Sequence, residues 1–236
     1  MSRSTFLLLL LYSTCSVAQI MAEPVPFRAE YEAQYQGLHV KARGIRELVH
    51  LEGDRYRMTS SASSFLARII ETSEFRLAEA NLTPLAYDYK RQGLGKNKAE
   101  STQFDWEAGH ASHDGTESLL AAGTLDKLSY QLQLRRDVAQ ALAEGRSEAV
   151  FEYEIADMEK RKVYRFAIAG METMSTPLGE LNTVRVDRVR EADKKRETSL
   201  WLAVDHALLL VRLKQTEADK GFELNLNSAV LDGRPL

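Results

Sequence analysis

Phe27-Arg28-Ala29-Glu30-Tyr31-Glu32-Ala33-Gln34-Tyr35 alternates apolar or small residues with charged and polar ones. A period of two puts Phe27, Ala29, Tyr31, Ala33 and Tyr35 on one face of a strand and leaves the other face to water. Gly37 closes this strand and Leu38–Leu51 continues as a second. The turn Glu52-Gly53-Asp54 then leads into Arg55–Ala62, with Tyr56, Met58, Ser60 and Ala62 on one side, which is the pattern of a hairpin. In Ser63–Ile70 the alternation stops. Phe65, Leu66, Ile69 and Ile70 fall at the spacing of a short helical face.

The β pattern resumes at Ser73–Ala78, and Asn81-Leu82-Thr83-Pro84 turns the chain. Leu85–Gln92 and Ala99–Trp106 form a hairpin across Gly93–Lys98, and Gly109 to Gly115 is a further turn region. The period then changes. Thr124–Leu142 runs 19 residues without Gly or Pro, with Leu125, Leu128, Leu132, Ala139 and Leu142 in one stripe. This predicts one amphipathic helix, with Thr124 or Asp126 as its cap and Gly145 as its end. Leu128-Tyr130-Leu132-Leu134 also alternates, so a strand start stays open there. Strand patterns return at Ala149–Ile155, Lys162–Ala169, Leu181–Val189, Glu197–Ala203, Leu208–Glu217 and Phe222–Val230.

About ten to twelve strands with one long helix and no shift of composition predict a single β-rich domain over residues 23–236. The expected fold is mainly β with one or two helices: a curved antiparallel sheet or incomplete β-barrel covered by an amphipathic helix. Such a sheet must cover its apolar face, and the helix can do so over either a dry core or a cavity.

Upstream, Met1–Ala22 has an early Arg3, the apolar run Phe6–Tyr12 and a small-residue end. That is the layout of a secretory signal peptide, cleaved after Ala18 or Ala22. The expected location is therefore the periplasm. The apolar run is too short to span a membrane. Cys15 is the only cysteine and lies within this leader, behind a poor lipidation motif, so the exported chain has no thiol to cross-link. Of 31 Lys and Arg, Arg3 leaves with the leader; the remainder, against 34 Asp and Glu, give a net charge of −4. Mixed, mildly acidic charge offers no footprint for nucleic acid.

The residues give no reaction. There is no Gly-x-Ser-x-Gly elbow, no catalytic cysteine and no HExxH. His110-x-x-His113-Asp114 reads as a solvated loop, Asp105 and Glu107 as one solvent face of a strand, and Arg91–Lys96 as a hairpin turn. No catalytic residue, metal site or cofactor is expected. The apolar clues carry more. Phe65, Leu66, Ile69 and Ile70, with Trp106, Leu128, Leu132 and Trp201, are the expected lining of a ligand site.

Several segments carry a resemblance. They are Tyr31-Glu32-Ala33-Gln34-Tyr35-Gln36-Gly37, Pro84-Leu85-Ala86-Tyr87-Asp88-Tyr89, Phe104-Asp105-Trp106 and Asp126–Arg135, then Thr176-Pro177-Leu178-Gly179-Glu180-Leu181 and Leu200-Trp201-Leu202-Ala203. The chain resembles the bacterial exported family catalogued as domain of unknown function 3108, which brings no catalytic motif. The architecture is also similar to that of the periplasmic lipoprotein carriers of the LolA and LolB type. That likeness implies an incomplete barrel with a helical lid over an apolar cavity, although one helix stands here where the carriers use several.

The expected function is a non-enzymatic periplasmic binding or carrier protein for a lipid-like or acylated ligand in cell-envelope biogenesis. Its partner would be a lipid or a lipoprotein acyl chain. The alternative is a periplasmic interaction or scaffold factor with a dry core, meeting an envelope protein in assembly or signalling. Neither reading includes nucleic acid or a transmembrane segment.

Overall fold

The computed structural model describes residues 23–36, 38–78, 81–93, 95, 97–157, 160–190, 196–218 and 220–236. The leader expected over 1–22 lies outside them. The first half of the chain is β1 (Phe27–Gln36), β2 (Leu38–His50), β3 (Arg55–Ser63), β4 (Ala67–Ala78), β5 (Asn81–Gly93), β6 (Lys98–Asp105), β7 (His110–His113) and β8 (Thr116–Leu119). The helix α1 (Ser129–Ala143) follows. The second half is β9 (Val150–Asp157), β10 (Lys160–Thr176), β11 (Gly179–Val189), β12 (Arg196–Ala203), β13 (Leu209–Glu217), β14 (Lys220–Leu231) and the short β15 (Arg234–Pro235).

All the strands join one antiparallel sheet in the order β8-β7-β6-β5-β4-β3-β2-β1-β14-β13-β12-β11-β10-β9, with β15 on β14. The sheet does not close, and its two ends are β8 and β9. A sheet this wide cannot stay flat, because strand twist accumulates beyond roughly ten strands. It curls, and α1 lies against its concave side. One helix of 15 residues is about 22 Å long. It nevertheless bonds to Arg46 of β2, Ser73 of β4 through its lead-in, Leu82 of β5, Tyr153 of β9 and Ala207 in the β12–β13 turn. Only a curved sheet presents all five to so short a rod.

The alternation that predicts β1 holds: Phe27, Ala29, Tyr31 and Ala33 are buried. The core they begin continues through Leu48, Tyr56, Met58 and Phe75 in one half and Tyr153, Ile155, Phe166, Val184 and Val186 in the other. Tyr130 of α1 sits among Tyr153, Tyr164 and Phe166, with ring centroids 6.4, 5.3 and 5.8 Å away, and so fastens the helix to β9 and β10.

Three local expectations change. Asn81–Pro84 is not a turn but the start of β5, paired with Phe75–Ala78 of β4. The segment 63–70 is not helical. Ser64 Oγ accepts the amides of Leu66 and Ala67, and the Ser64 amide donates to the Ala67 carbonyl. That closes a hairpin turn, and Ile69 and Ile70 belong to β4. The turn region 109–115 is itself part of a small hairpin, β7–β8. The alternation Leu128–Leu134 gives way to the helix, whose continuous run of good helix formers outweighs it. At the other end Gly145, at φ +72°, donates to Leu142 and Arg146 donates to Ala141, a Schellman closure.

Gly93 is the position where the backbone has least freedom to change. Its φ is +112°, and a Cβ there would stand 2.3 Å from the Leu66 carbonyl oxygen in the paired strand end. Gly93→Ala is expected to lower stability by about 2 kcal/mol or more, read as a drop in the urea midpoint. Gly53→Ala, with positive φ but open space around it, should cost only about 1 kcal/mol. Equal losses would refute the steric account.

Candidate functional site

The site is organised by the segment that leads into α1. Asp126 is fully buried. One carboxylate oxygen accepts the amides of Leu128 (2.7 Å) and Ser129 (2.9 Å), and Ser129 Oγ accepts the Asp126 amide at 2.9 Å. This reciprocal pair satisfies amides that a helix start leaves free. The other oxygen accepts the hydroxyl of Ser73 in β4 at 2.6 Å. Burial raises the Asp126 pKa above the ordinary aspartate value, against the pull of Ser73 and the two amides. One residue earlier, Leu125 bridges Ile155 in parallel and exchanges backbone bonds with Glu154 and Ala156. The same few residues therefore cap the helix, hold β4 and pair the edge of β9.

Along α1 most polar side chains face protein, with Gln140 the exposed exception. Gln131 accepts a bond from Arg46 Nη2 and donates to the Lys127 carbonyl at 2.7 Å. Gln133 accepts the Leu82 amide at 3.1 Å. Asp137 accepts the Tyr153 hydroxyl at 2.6 Å. Arg135 donates to the Ala207 carbonyl at 2.6 Å and lies over the Phe27 ring, 4.8 Å from its centroid. Across the interior, the Tyr31 hydroxyl donates to the Leu210 carbonyl at 2.9 Å.

Between α1 and the sheet lies a cavity of about 110 Å³. Phe27, Met58, Leu134, Phe166, Leu202 and Leu210 supply much of its apolar wall. Half-buried Arg188, Thr198 and Gln215 line it as well. The size is in the range of an engineered protein cavity of roughly 150 Å³ that admits benzene. The walls differ from such a cavity in one respect: Arg46 (8 % exposed) and Arg135 (9 % exposed) both face it. Burial draws Arg135 down to about 10, with Arg46 adding to the effect, and pushes the hydroxyls of Tyr31 and Tyr130 up to about 12. Proton transfer near neutral pH is not the chemistry of such groups. Hydrogen-bond donation and fixed positive charge are.

None of the residues expected from sequence to line a ligand site lines this cavity. Phe65 is 84 % exposed at the tip of the β3–β4 hairpin, and Leu66, Ile69 and Ile70 are only half-buried beside it. Trp106 donates to the Pro84 carbonyl at 2.6 Å and stacks on Phe104. Trp201 is buried, but Leu200 and Leu202 on either side of it line the cavity, so pleating turns the indole to the convex side. There it donates to Glu172 at 2.8 Å and stacks with Arg212. Leu128 and Leu132 are core residues; Leu134, 200° around the helix from Leu132, is the leucine that faces the cavity. Asp105 and Glu107 do not share a strand face either, since β6 ends at Asp105, which caps a turn by accepting the Ala108 amide. His113 holds Thr102 at 2.9 Å, and no group of three or more metal-binding side chains occurs among the described residues.

Sequence reasoning passed over Arg46 and Arg135, because a charged residue is ordinarily assigned to the surface. Both were marked by phase. Arg46 stands between Gly44 and Leu48 on the inward face of β2. Arg135 fills the gap in the stripe Leu128, Leu132, Ala139, Leu142, seven residues after Leu128.

An open, curled antiparallel sheet holding one helix and a small cavity on its concave side defines a β-barrel-like fold. Residues 30–227 match the family described as protein of unknown function, DUF3108, and the chain belongs to that family. Among solved structures, the chain is similar to a beta-barrel-like protein of domain of unknown function DUF1849 from Brucella abortus. The two share 10 % identity at a TM-score of 0.59, over 89 % of this chain and 99 % of that one. At that identity the likeness concerns the fold alone. No curated protein matches the chain in sequence.

The anchor is open to test. Asp126→Ala leaves Ser73 and two amides without an acceptor in the interior and should cost roughly 2–3 kcal/mol in urea unfolding. Asp126→Asn keeps an acceptor and should cost less. The folded pKa of Asp126 is raised, so its contribution is most favourable below the unfolded pKa and is lost as pH rises through the folded one. The stability difference between wild type and Asp126→Asn should therefore move in favour of the Asn protein as pH rises from 4 to 8. A constant difference would show that the charge is not what burial penalises.

Proposed function

We propose that the protein is a non-enzymatic binding or carrier protein of the periplasm, holding a lipid-like or acylated ligand between α1 and the concave face of the sheet. The observation that carries this reading is the cavity itself. Well-packed interiors leave few voids larger than a water molecule, and this one lies where an incomplete barrel admits a ligand. Its apolar walls suit the body of a hydrocarbon chain or ring. The exported-leader pattern of residues 1–22 supports the location. The likeness to lipoprotein carriers noted from the sequence supports a role in cell-envelope biogenesis. No helix among the described residues is long and apolar enough to cross a membrane.

The scaffold alternative has its own footing. It needs free sheet edges as docking sites. The edge of β9 already bonds Leu125, and β8 is four residues long, so the cavity is the better-supported working surface.

Native mass spectrometry of protein purified gently from its own host tests the proposal. A discrete small-molecule adduct is expected, and Leu213→Trp, which fills the cavity from a half-buried wall position, should abolish it while leaving the fold intact by circular dichroism. A clean apo mass in detergent-free preparations would overturn the carrier reading and favour the scaffold.

A further inference from the structure

Arg46 and Arg135 reach the same cavity from opposite walls, one from β2 and one from α1. Each is more than nine-tenths buried. Among the described residues each makes a single hydrogen bond, and both acceptors are neutral: the Gln131 side-chain oxygen for Arg46 and the Ala207 carbonyl for Arg135. The Nε of each is buried and bonds to no group among the described residues. Neither guanidinium has a carboxylate within ion-pair distance among the described residues, whereas surface arginines such as Arg43, Arg57 and Arg165 all do.

The acids near the helix are engaged elsewhere. Asp126 binds Ser73 and two amides, Glu71 takes the Tyr87 hydroxyl, and Asp137 takes Tyr153 and Gln133. Buried charges in proteins are ordinarily paired, since leaving water is costly. Three arginines line this cavity, the buried Arg46 and Arg135 and the half-buried Arg188 over the Tyr164 ring, with no carboxylate among the described lining residues, which is the opposite arrangement. The fold supplies the cations and leaves the anion to come from outside.

We infer that the cavity receives the anionic oxygen group, carboxylate or phosphate, of a small amphiphile, with Arg46 and Arg135 as its binding residues and the apolar wall holding the adjoining hydrocarbon. This rests on the binding reading above and narrows its ligand to an anion. Tyr31 stands in the same lining with its hydroxyl committed to Leu210, so it shapes the site without competing for the anion. The Phe27 ring under the Arg135 guanidinium holds that group against the wall. Guanidinium donors fixed in advance bind an oxyanion without first losing side-chain freedom.

Calorimetric titration of the purified protein with four probes tests the inference: octanoate, octyl phosphate, octan-1-ol and octylammonium. One of the two anions should bind about tenfold or more tighter than octanol, and octylammonium should bind weakest. Which anion leads identifies the source of the charge. Arg46→Gln and Arg135→Gln should each bring the anion down to the octanol level while octanol binding stays within about twofold; Arg46→Lys, which keeps the charge, should retain part of the preference. Equal binding of octanol and both anions by the wild type would overturn the anion inference and leave the cavity reading standing. No binding of any probe would overturn both. The wild-type comparison needs no variant, so a substitution that fails to fold does not blunt the test.

Discussion

A carboxylate that has left water must be answered by donors, and in this protein the answer comes from three directions at once. Asp126 takes two amides from the start of α1 and one hydroxyl from β4, while the residue before it pairs with β9. The position of the helix inside the curled sheet follows from that junction. Without it, the first turn of α1 would have free amides in an apolar interior. The remaining bonds, to β2, β5, β9 and the β12–β13 turn, are spread along the rest of the rod and set its rotation.

That rotation places a polar helix in a buried setting. Gln133, Arg135 and Arg136 of α1 are all buried, an arrangement costly for a helix covering a dry apolar core. Gln131 and Gln133 are each matched across the interior, to Arg46 and to the Leu82 amide. The arginines at the cavity are matched more sparingly, by neutral oxygens and an aromatic face. Buried polar atoms with no hydrogen-bond partner among the described residues occur elsewhere too, at Arg185 and Arg212 for example, but at the cavity they coincide with incomplete packing. A void lined by cations that have no carboxylate partner among the described residues is what marks this place as the candidate site.

The fold was legible because most of it rests on local periodicity. Alternation in Phe27–Tyr35 and the change of period at Thr124 are enough to call for a curved sheet with a helix against it, and Gly145 and Asp126 mark the ends of that helix where the structure has them. The site was not legible in the same way. Phe65 and Trp201 attract attention as large apolar residues, yet one lies at a hairpin tip and the other one step out of phase with the inward face. Hydrophobicity says that a side chain seeks cover, and not which side of a sheet supplies it. Arg46 and Arg135 carry the complementary signal, a charge in an apolar phase, which gains meaning only once two distant elements are seen to face one space.

Every neighbour in the sheet is also a neighbour along the chain, with one exception: β1 lies beside β14. That seam runs from Phe27 opposite Leu231 to Gln36 opposite Gly221, and Pro26 accepts a bond from Asp232 at its end. Each half of the molecule is a run of hairpins that can zip up by itself, whereas the seam joins segments nearly the full chain apart. Loop closure of that length makes late joining of two preformed halves the economical order of folding. A chain rejoined at the seam and opened between β8 and α1 would be a single uninterrupted meander, with the same molecule at the end of it.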